Sequence, residues 1–349
     1  MRIATYNIEW FNALFDDDGG VLDDAEWSSR YNITRADQIA AIGKVMTALN
    51  ADGIMIIEAP DQNGRRSSVK ALENFARLMG LRARKAVIGF ENETQQEIAF
   101  LYDPDAMSVV HDPIGAGTGK RGSRDAPRFD GAFRIDLDFD ATEDVVRFSK
   151  PPLELAVEAA SGAVFRLIGV HLKSKAPRGA NTKDQVMRLA IANRRKQLAQ
   201  CIWLRERVGH HVAAGDPLIL LGDLNDGPGL DEFEQLFGRS GVEIVMGTDL
   251  AAAEQLYDPN AARALQSRLA AQPATARFFL REESRYLSAL LDYIMVCPLI
   301  RPRTTKWRIW HPFDDPVCWR EGSLCQALLT SSDHFPVSMQ LSAEPAPQD

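Results

Sequence analysis

Residues 217–222 form an uninterrupted apolar run that stops at a glycine and delivers an aspartate, Gly222-Asp223-Leu224-Asn225. A short apolar run bounded by turn residues reads as a strand buried on both faces. The pattern recurs along the chain. Ile3 to Ile8 carries Asn7, Ile54 to Glu58 ends on its acid, and 163–170 ends at His171. Leu290 to Cys297 contains Asp292, and the last strand is entered through Ser331-Ser332-Asp333-His334-Phe335-Pro336-Val337. A polar residue at a strand mouth is held by the sheet yet faces the open edge, where α/β folds place their sites. Taken singly, Asn7 reads as a turn residue, Asp223-Leu224-Asn225-Asp226-Gly227 as an Asx-type loop and His334 as a satisfied core histidine. Six such coincidences in one chain point to one assembled site.

Between these strands the periodicity predicts helices. Thr34 can cap a helix over 35–49 with Ile39, Ile42, Val45, Met46 and Leu49 on one face. Further helices are expected over 68–79, 182–207, 230–237 and 260–271, and strands near 83–89, 97–102, 107–110, 132–139 and 153–159. Residues 15–29, with six acids and no base, read as a solvated loop. Residues 111–131 are rich in Gly, Pro and Arg and are expected to form a mobile loop. Within it, Gly115 to Arg121 is no phosphate loop: Ile114 stands at the first glycine of that motif, and Arg121 replaces its Ser/Thr. No internal repeat or Gly/Ser linker divides the chain, so one domain over 1–341 is expected, with 342–349 as a disordered tail.

Composition bounds the setting. Hydrophobic residues at 45% and charged residues at 25% describe a folded chain rather than a disordered one. No apolar run reaches membrane-spanning length and the N-terminus lacks a signal-peptide plan, so the expectation is a cytoplasmic protein without an integral membrane segment. Cys201, Cys297, Cys318 and Cys325 form neither a disulfide framework nor a C-x-x-C pair and are read as reduced thiols. The net charge of −8 hides an asymmetry. Residues 171–207 hold ten Lys/Arg against two acids, a net +8, which leaves −16 for the rest. A basic patch on an acidic body suits a localised anionic substrate better than long duplex DNA.

In order and local context, Thr5-Tyr6-Asn7-Ile8, Ile56-Ile57-Glu58, Phe148 to Leu153, Gly169 to Lys175, Leu221 to Asn225, Leu291 to Ile294 and Ser332 to Val337 resemble the endonuclease/exonuclease/phosphatase superfamily. That superfamily includes pancreatic-type deoxyribonucleases, AP endonucleases, neutral sphingomyelinases and inositol phosphatases. The resemblance implies a four-layer α/β sandwich of two packed, mostly antiparallel sheets flanked by helices. It also implies a metal-dependent phosphodiesterase site at one sheet edge. Hard oxygen donors favour Mg²⁺ or Mn²⁺, with Glu58 as leading ligand and Asn7, Glu9 and Asp333 near the same ion. Similarity to the family puts Asp223 and Asn225 against the attacking water and sets His171 and His334 on either side of the scissile phosphate, with Asp292 buttressing His334.

The chain departs from the commoner pattern at Ile57, where many relatives have Gln, and at Lys150, where nuclease relatives often place Arg. Strand alternation leaves open whether Gln96 or Glu97 supports His171. Lys150, Lys173, Lys175, Arg188 and Arg194 are candidate substrate contacts, although a solvated helix face would also account for the arginines. Trp307, Trp310, Phe313 and Trp319 are expected to cover the core or to form a stacking wall, and His311 to lie at the surface. The function expected is a divalent-metal nuclease acting on single-stranded, terminal or damaged DNA or RNA. The alternative is a phosphatase or sphingomyelinase-like enzyme, although Ser288-Ala289-Leu290-Leu291 before Asp292 is unlike the inositol phosphatase branch. A catalytically silent binding module ranks behind both.

Overall fold

A computed structural model describes residues 1–92, 94–137, 143–177, 179–180, 182–227, 238–266, 272–280 and 284–342. The strands are β1 (Arg2–Asn7), β2 (Gly53–Ala59), β3 (Lys85–Ile88), β4 (Glu97–Tyr102), β5 (Met107–His111), β6 (Phe133–Ile135), β7 (Asp144–Val146), β8 (Leu153–Ala159), β9 (Val164–His171), β10 (Leu218–Asp223), β11 (Ala276–Leu280), β12 (Arg285–Ala289), β13 (Asp292–Val296), β14 (Thr304–Ile309) and β15 (Val337–Leu341). The helices are α1 (Arg35–Leu49), α2 (Ser68–Leu78), α3 (Lys183–Ala214), α4 (Gly241–Met246), α5 (Pro259–Gln266), α6 (Pro316–Arg320) and α7 (Gly322–Ser331). The expected helix over 230–237, the end of the one over 260–271 and the tail lie outside the described residues.

Six strands form one sheet in the order β14-β15-β1-β2-β4-β3, and five form a second in the order β13-β10-β9-β8-β5. Pairing is antiparallel except for β1 with β2 and β9 with β10. The period-2 alternation of strand side chains decides what each face meets. Ile3, Met55 and Ile57 enter the core between the sheets, whereas Ala4, Tyr6, Ile54 and Ile56 face α1, α2 and α7. On the far side of the second sheet, Trp203, Leu204 and Val208 of α3 pack with Phe129, Phe133 and Phe148. This is the expected sandwich, mixed α/β with helices outside both sheets.

Several local expectations change. Thr34 does cap α1, accepting from Asp37 N–H at 3.2 Å, and α2 forms where expected. The long helix runs past 207 and stops at Gly215, which takes a left-handed φ of 75°. Beyond His111, which ends β5, residues 112–131 contain no regular helix or strand, but their second half is pinned to α3. Arg207 donates to the carbonyls of Ala126 and Pro127 at 2.9 Å each, and Trp203 Nε1 donates to Pro127 O at 2.9 Å. His311 is a correction, being buried with its ring 4.7 Å from that of Phe335. Trp310 is buried and Trp307 half-buried, so these two cover the core, whereas Phe313 and Trp319 are exposed at 40% and 59%.

Gly222 shows why the strand before Asp223 ends as it does. Its φ is 136°, and a Cβ there would sit 2.1 Å from Val170 O on neighbouring β9. Gly222→Ala should therefore destabilise the fold by about 3 kcal/mol or more, combining backbone strain with a clash against main chain. Urea unfolding midpoints check this, and an unchanged midpoint would show that β9 and β10 can separate at no cost.

Candidate active site

The two parallel strand pairs bring their carboxyl ends to the same edge of the sandwich. In the second sheet Asp223 sits in register with His171 on β9 and with Asp292 on β13. In the first, Asn7 ends β1 beside Ile57 of β2. The sheets are joined here by a side-chain hydrogen bond, Asn7 Nδ2 donating to Asp223 Oδ2 at 2.9 Å. Asp223 also accepts from Asn225 N–H at 2.7 Å and Asn225 Nδ2 at 3.2 Å, and His171 Nε2 lies 3.7 Å away. Burial and the neighbouring charge of Asp292 push the Asp223 carboxyl up to about 7.

His334 is held from behind. Its Nδ1 lies 2.8 Å from Asp292 Oδ2, and burial alone would neutralise the ring. The charge and hydrogen bond of Asp292, with Asp223 and Asp333 adding, outweigh that and raise its proton affinity well above the usual histidine range. Asp292 is fixed by Thr275, whose Oγ1 accepts from Leu291 N–H at 3.0 Å and Asp292 N–H at 2.9 Å. Ser332 ties three segments together, donating to Asn7 O at 2.8 Å and accepting from Glu9 N–H and His334 N–H at 3.1 Å each. Sequence reading missed the roles of Thr275 and Ser332, although Ser332 lies inside a motif.

Glu58 stands where the β2–β4 ladder slips between Ile57 and Ala59, and it takes a left-handed φ of 62°. Such a bulge re-aims a side chain at the strand end. Its Oε2 accepts from Gln96 Nε2 at 2.8 Å. Burial raises the Glu58 carboxyl, and burial together with Asp333 pushes Glu9 to about 7 despite its ion pair with Arg30. Asp333 also acts on Glu58, so Glu9, Glu58 and Asp333 share one field.

Neither candidate partner contacts His171 with a carboxylate. Lys150 Nζ stands 3.5 Å from His171 Nδ1, Gln96 lies behind that lysine at 3.2 Å, and Glu97 turns to Asn92 Nδ2 at 2.9 Å. Burial pushes Glu97 up to about 7. Of the other basic candidates, Lys173 is half-buried and Lys175 ion-pairs with Asp226. Arg194 is buried on α3, and Arg188 is exposed. The structure thus gathers Asn7, Glu58, Lys150, His171, Asp223, Asn225, Asp292 and His334 but not the arginines.

A divalent cation fits this chemistry. Asn7 Oδ1 is buried without a hydrogen-bond partner, and burial and the mutual repulsion with Asp333 raise Glu9 and Glu58 beyond what the nearby cations offset. Among the described residues, Asp223, Asp292 and His334 bring ligand atoms within 4.8 Å of one another. A doubly protonated His334 has no lone pair to give, so that trio suits proton handling better than coordination.

The model of one family, described as Endonuclease/Exonuclease/phosphatase family, matches residues 4–334. The chain belongs to the endonuclease/exonuclease/phosphatase family. Members of this family are divalent-metal-dependent phosphoester hydrolases, so the chain is an enzyme of that class. Its fold is similar to three solved structures, each at TM-score 0.50. A Bacteroides thetaiotaomicron protein of the same family is 14% identical, covering 97% of this chain and 96% of that one. The mannosyl-6-phosphatase of that organism is 14% identical, covering 98% and 99%. The human Nocturnin catalytic domain with bound sulfate is 13% identical, covering 98% and 94%. Comparison with curated proteins finds no significant match. No helix among the described residues of this family member is long and apolar enough to cross a membrane.

The raised acids give the endonuclease/exonuclease/phosphatase site a stability signature. Asp223, Glu9 and Glu97 rise from 3.8 or 4.5 to about 7, and His334 also rises. Between about pH 4 and 7 the folded state therefore holds more protons than the unfolded chain, and stability falls as pH rises through that window. Metal-free protein should melt lower at pH 8 than at pH 5, and Mg²⁺ should raise the Tm more at pH 8, where the carboxylates are ionised. A Tm that climbs from pH 5 to 8 without metal would contradict the buried acid cluster.

Proposed function

We propose that this chain, acting as one catalytic unit over residues 1–341, is a Mg²⁺- or Mn²⁺-dependent phosphodiesterase that cleaves single-stranded, terminal or damaged DNA or RNA. The observation that carries the reading is Asp223. It is a buried carboxyl, held by Asn7 and Asn225, with a proton affinity near neutrality and two histidines beside it. A group of that affinity can take a proton from an attacking water at working pH. Asn225 and Asn7 fix its oxygens so that the lone pair is aimed rather than free to rotate. His334, kept charged by Asp292, donates to a phosphoryl oxygen as negative charge builds there. His171 donates to the same phosphate from the other side. Glu58, with Asn7, Glu9 and Asp333, would hold the cation, which neutralises phosphoryl charge when bound.

A second reading, hydrolysis of a small phosphorylated or sphingomyelin-like substrate, has one observation behind it. Lys175 is paired, and Arg194 and Arg207 are buried, so much of the basic segment is turned inward. A binding module without activity would have no use for Asp223 and His334 in this state.

EDTA should abolish hydrolysis of bis-p-nitrophenyl phosphate and Mg²⁺ or Mn²⁺ should restore it. Glu58→Gln should raise the metal concentration for half-maximal rate, and His334→Ala should cut kcat by at least about 10². Full activity in chelator would sink the metal assignment. Assays on single-stranded, abasic and duplex DNA, RNA and sphingomyelin separate the two readings. If Lys173 and Arg188 supply about two phosphate contacts, oligonucleotide binding should fall with salt at a log–log slope of about −1.4. A flat slope with good cleavage of small esters would favour the second reading.

A further inference from the structure

Two neighbours fix the orientation of the Gln96 amide. Its Nε2 lies 2.8 Å from Glu58 Oε2, and an ionised carboxylate only accepts. Its Oε1 lies 3.2 Å from Lys150 Nζ, and an ammonium only donates. Both ends agree, so a directed chain of hydrogen bonds runs outward from Lys150. The same ammonium stands 3.5 Å from His171 Nδ1. An ammonium can only donate to that nitrogen, so Nδ1 presents its lone pair to Lys150. The ring proton then belongs on Nε2, which is directed at Asp223 Oδ2 3.7 Å away.

The arrangement at His334 is the reverse. There a carboxylate faces Nδ1 and draws a proton onto it, the usual way a site histidine is oriented. At His171 a cation occupies that place. Burial lowers the proton affinity of Lys150, and the charges of Glu58, Glu97, Asp223 and Asp61 oppose that and favour its ammonium form; of these, Asp223 also lies 3.7 Å from Nε2 of the ring.

We infer that Lys150 is a positioning residue that holds His171 as the neutral Nε2–H tautomer, so that His171 acts as a hydrogen-bond donor through Nε2. This deepens the proposed reading and rests on it for the placement of substrate at Nε2. It also assigns Lys150 an inward task in place of gripping substrate phosphate, and it divides the work between the two histidines. His171 cannot accept a proton at Nε2 in this state, which leaves Asp223 as the base.

The test is ring ¹⁵N NMR of the Mg²⁺-loaded full chain at neutral pH, with the His171 signals assigned by their loss in His171→Gln. The expected wild-type result is a protonated Nε2 and a bare Nδ1. Lys150→Met should replace this with an Nδ1-protonated or doubly protonated ring and move the ring's titration midpoint upward. Lys150→Arg, which keeps a donor and a charge, should preserve the wild-type pattern. On bis-p-nitrophenyl phosphate, Lys150→Met should lower kcat about 10- to 100-fold, with KM little changed. A wild-type ring that is doubly protonated or protonated on Nδ1 would overturn the inference. So would an unchanged ring in Lys150→Met accompanied by a rise in KM alone, which would return Lys150 to substrate binding. The expected ring pattern in a protein that hydrolyses no phosphoester would uphold the tautomer and refute the proposed function, so the two failures are distinguishable.

Discussion

Asp223 is a carboxylate with 1% exposure at the seam of two sheets, and the rest of the site is arranged around keeping it there. A buried carboxyl is costly unless its oxygens are hydrogen-bonded. Here the donors come from both sides of the sandwich, Asn7 from the first sheet and Asn225 from the loop that follows β10. The seam is therefore polar at one edge and apolar below it, where Met55 approaches Gly169 so closely that a Cβ there would lie 2.3 Å from its sulfur. Tight apolar packing fixes how far apart the sheets stand, and that spacing lets Asn7 reach Asp223. Core and chemistry are one constraint seen at two depths.

Small hydroxyl and amide side chains hold much of the chain at this edge. Ser332 couples the end of β1 to His334, Thr275 couples the segment just before β11 to Asp292, and Gln197 of α3 donates to the carbonyls of Lys173, Leu224 and Asn225 at 3.0, 3.2 and 2.9 Å. Neutral hydrogen bonds suit a place already crowded with carboxylates. An added cation would compete with the metal, and an added anion would raise the acids further. Lys150 is enclosed by acids and lies behind His171.

Much of this was legible in the sequence because a strand that must be buried on both faces has to be written in apolar letters, and the polar residue at its mouth stands out against them. Asn7, His171, Asp223, Asp292 and His334 were visible for that reason. What was not legible depended on contacts far away in the chain. β14 lies at the edge of its sheet, so Thr304 to Ile309 mixes polar and apolar residues and gives no strand signal. His311 is buried by Phe335, twenty-four residues away. The choice between Gln96 and Glu97 turned on a left-handed φ of 71° at Gln96, which breaks the strand alternation used to frame it.

The basic segment shows the limit of counting charge. Its ten Lys/Arg suggested a patch, but a crossover helix spends many of its long side chains on the fold. Arg207 is fully buried against Glu154 and carries the carbonyls of residues 126 and 127. Arg205 donates to the carbonyls of Val245, Met246 and Glu254, completing the end of α4, and Lys175 neutralises Asp226. Geometry explains the division. At about 1.5 Å per residue α3 is roughly 48 Å long, whereas six-residue β10 spans roughly 20 Å. The helix therefore outruns the sheet, and its buried positions begin only at Arg194. Lys183 and Arg188 stay exposed on the turns of α3 that precede its first buried position.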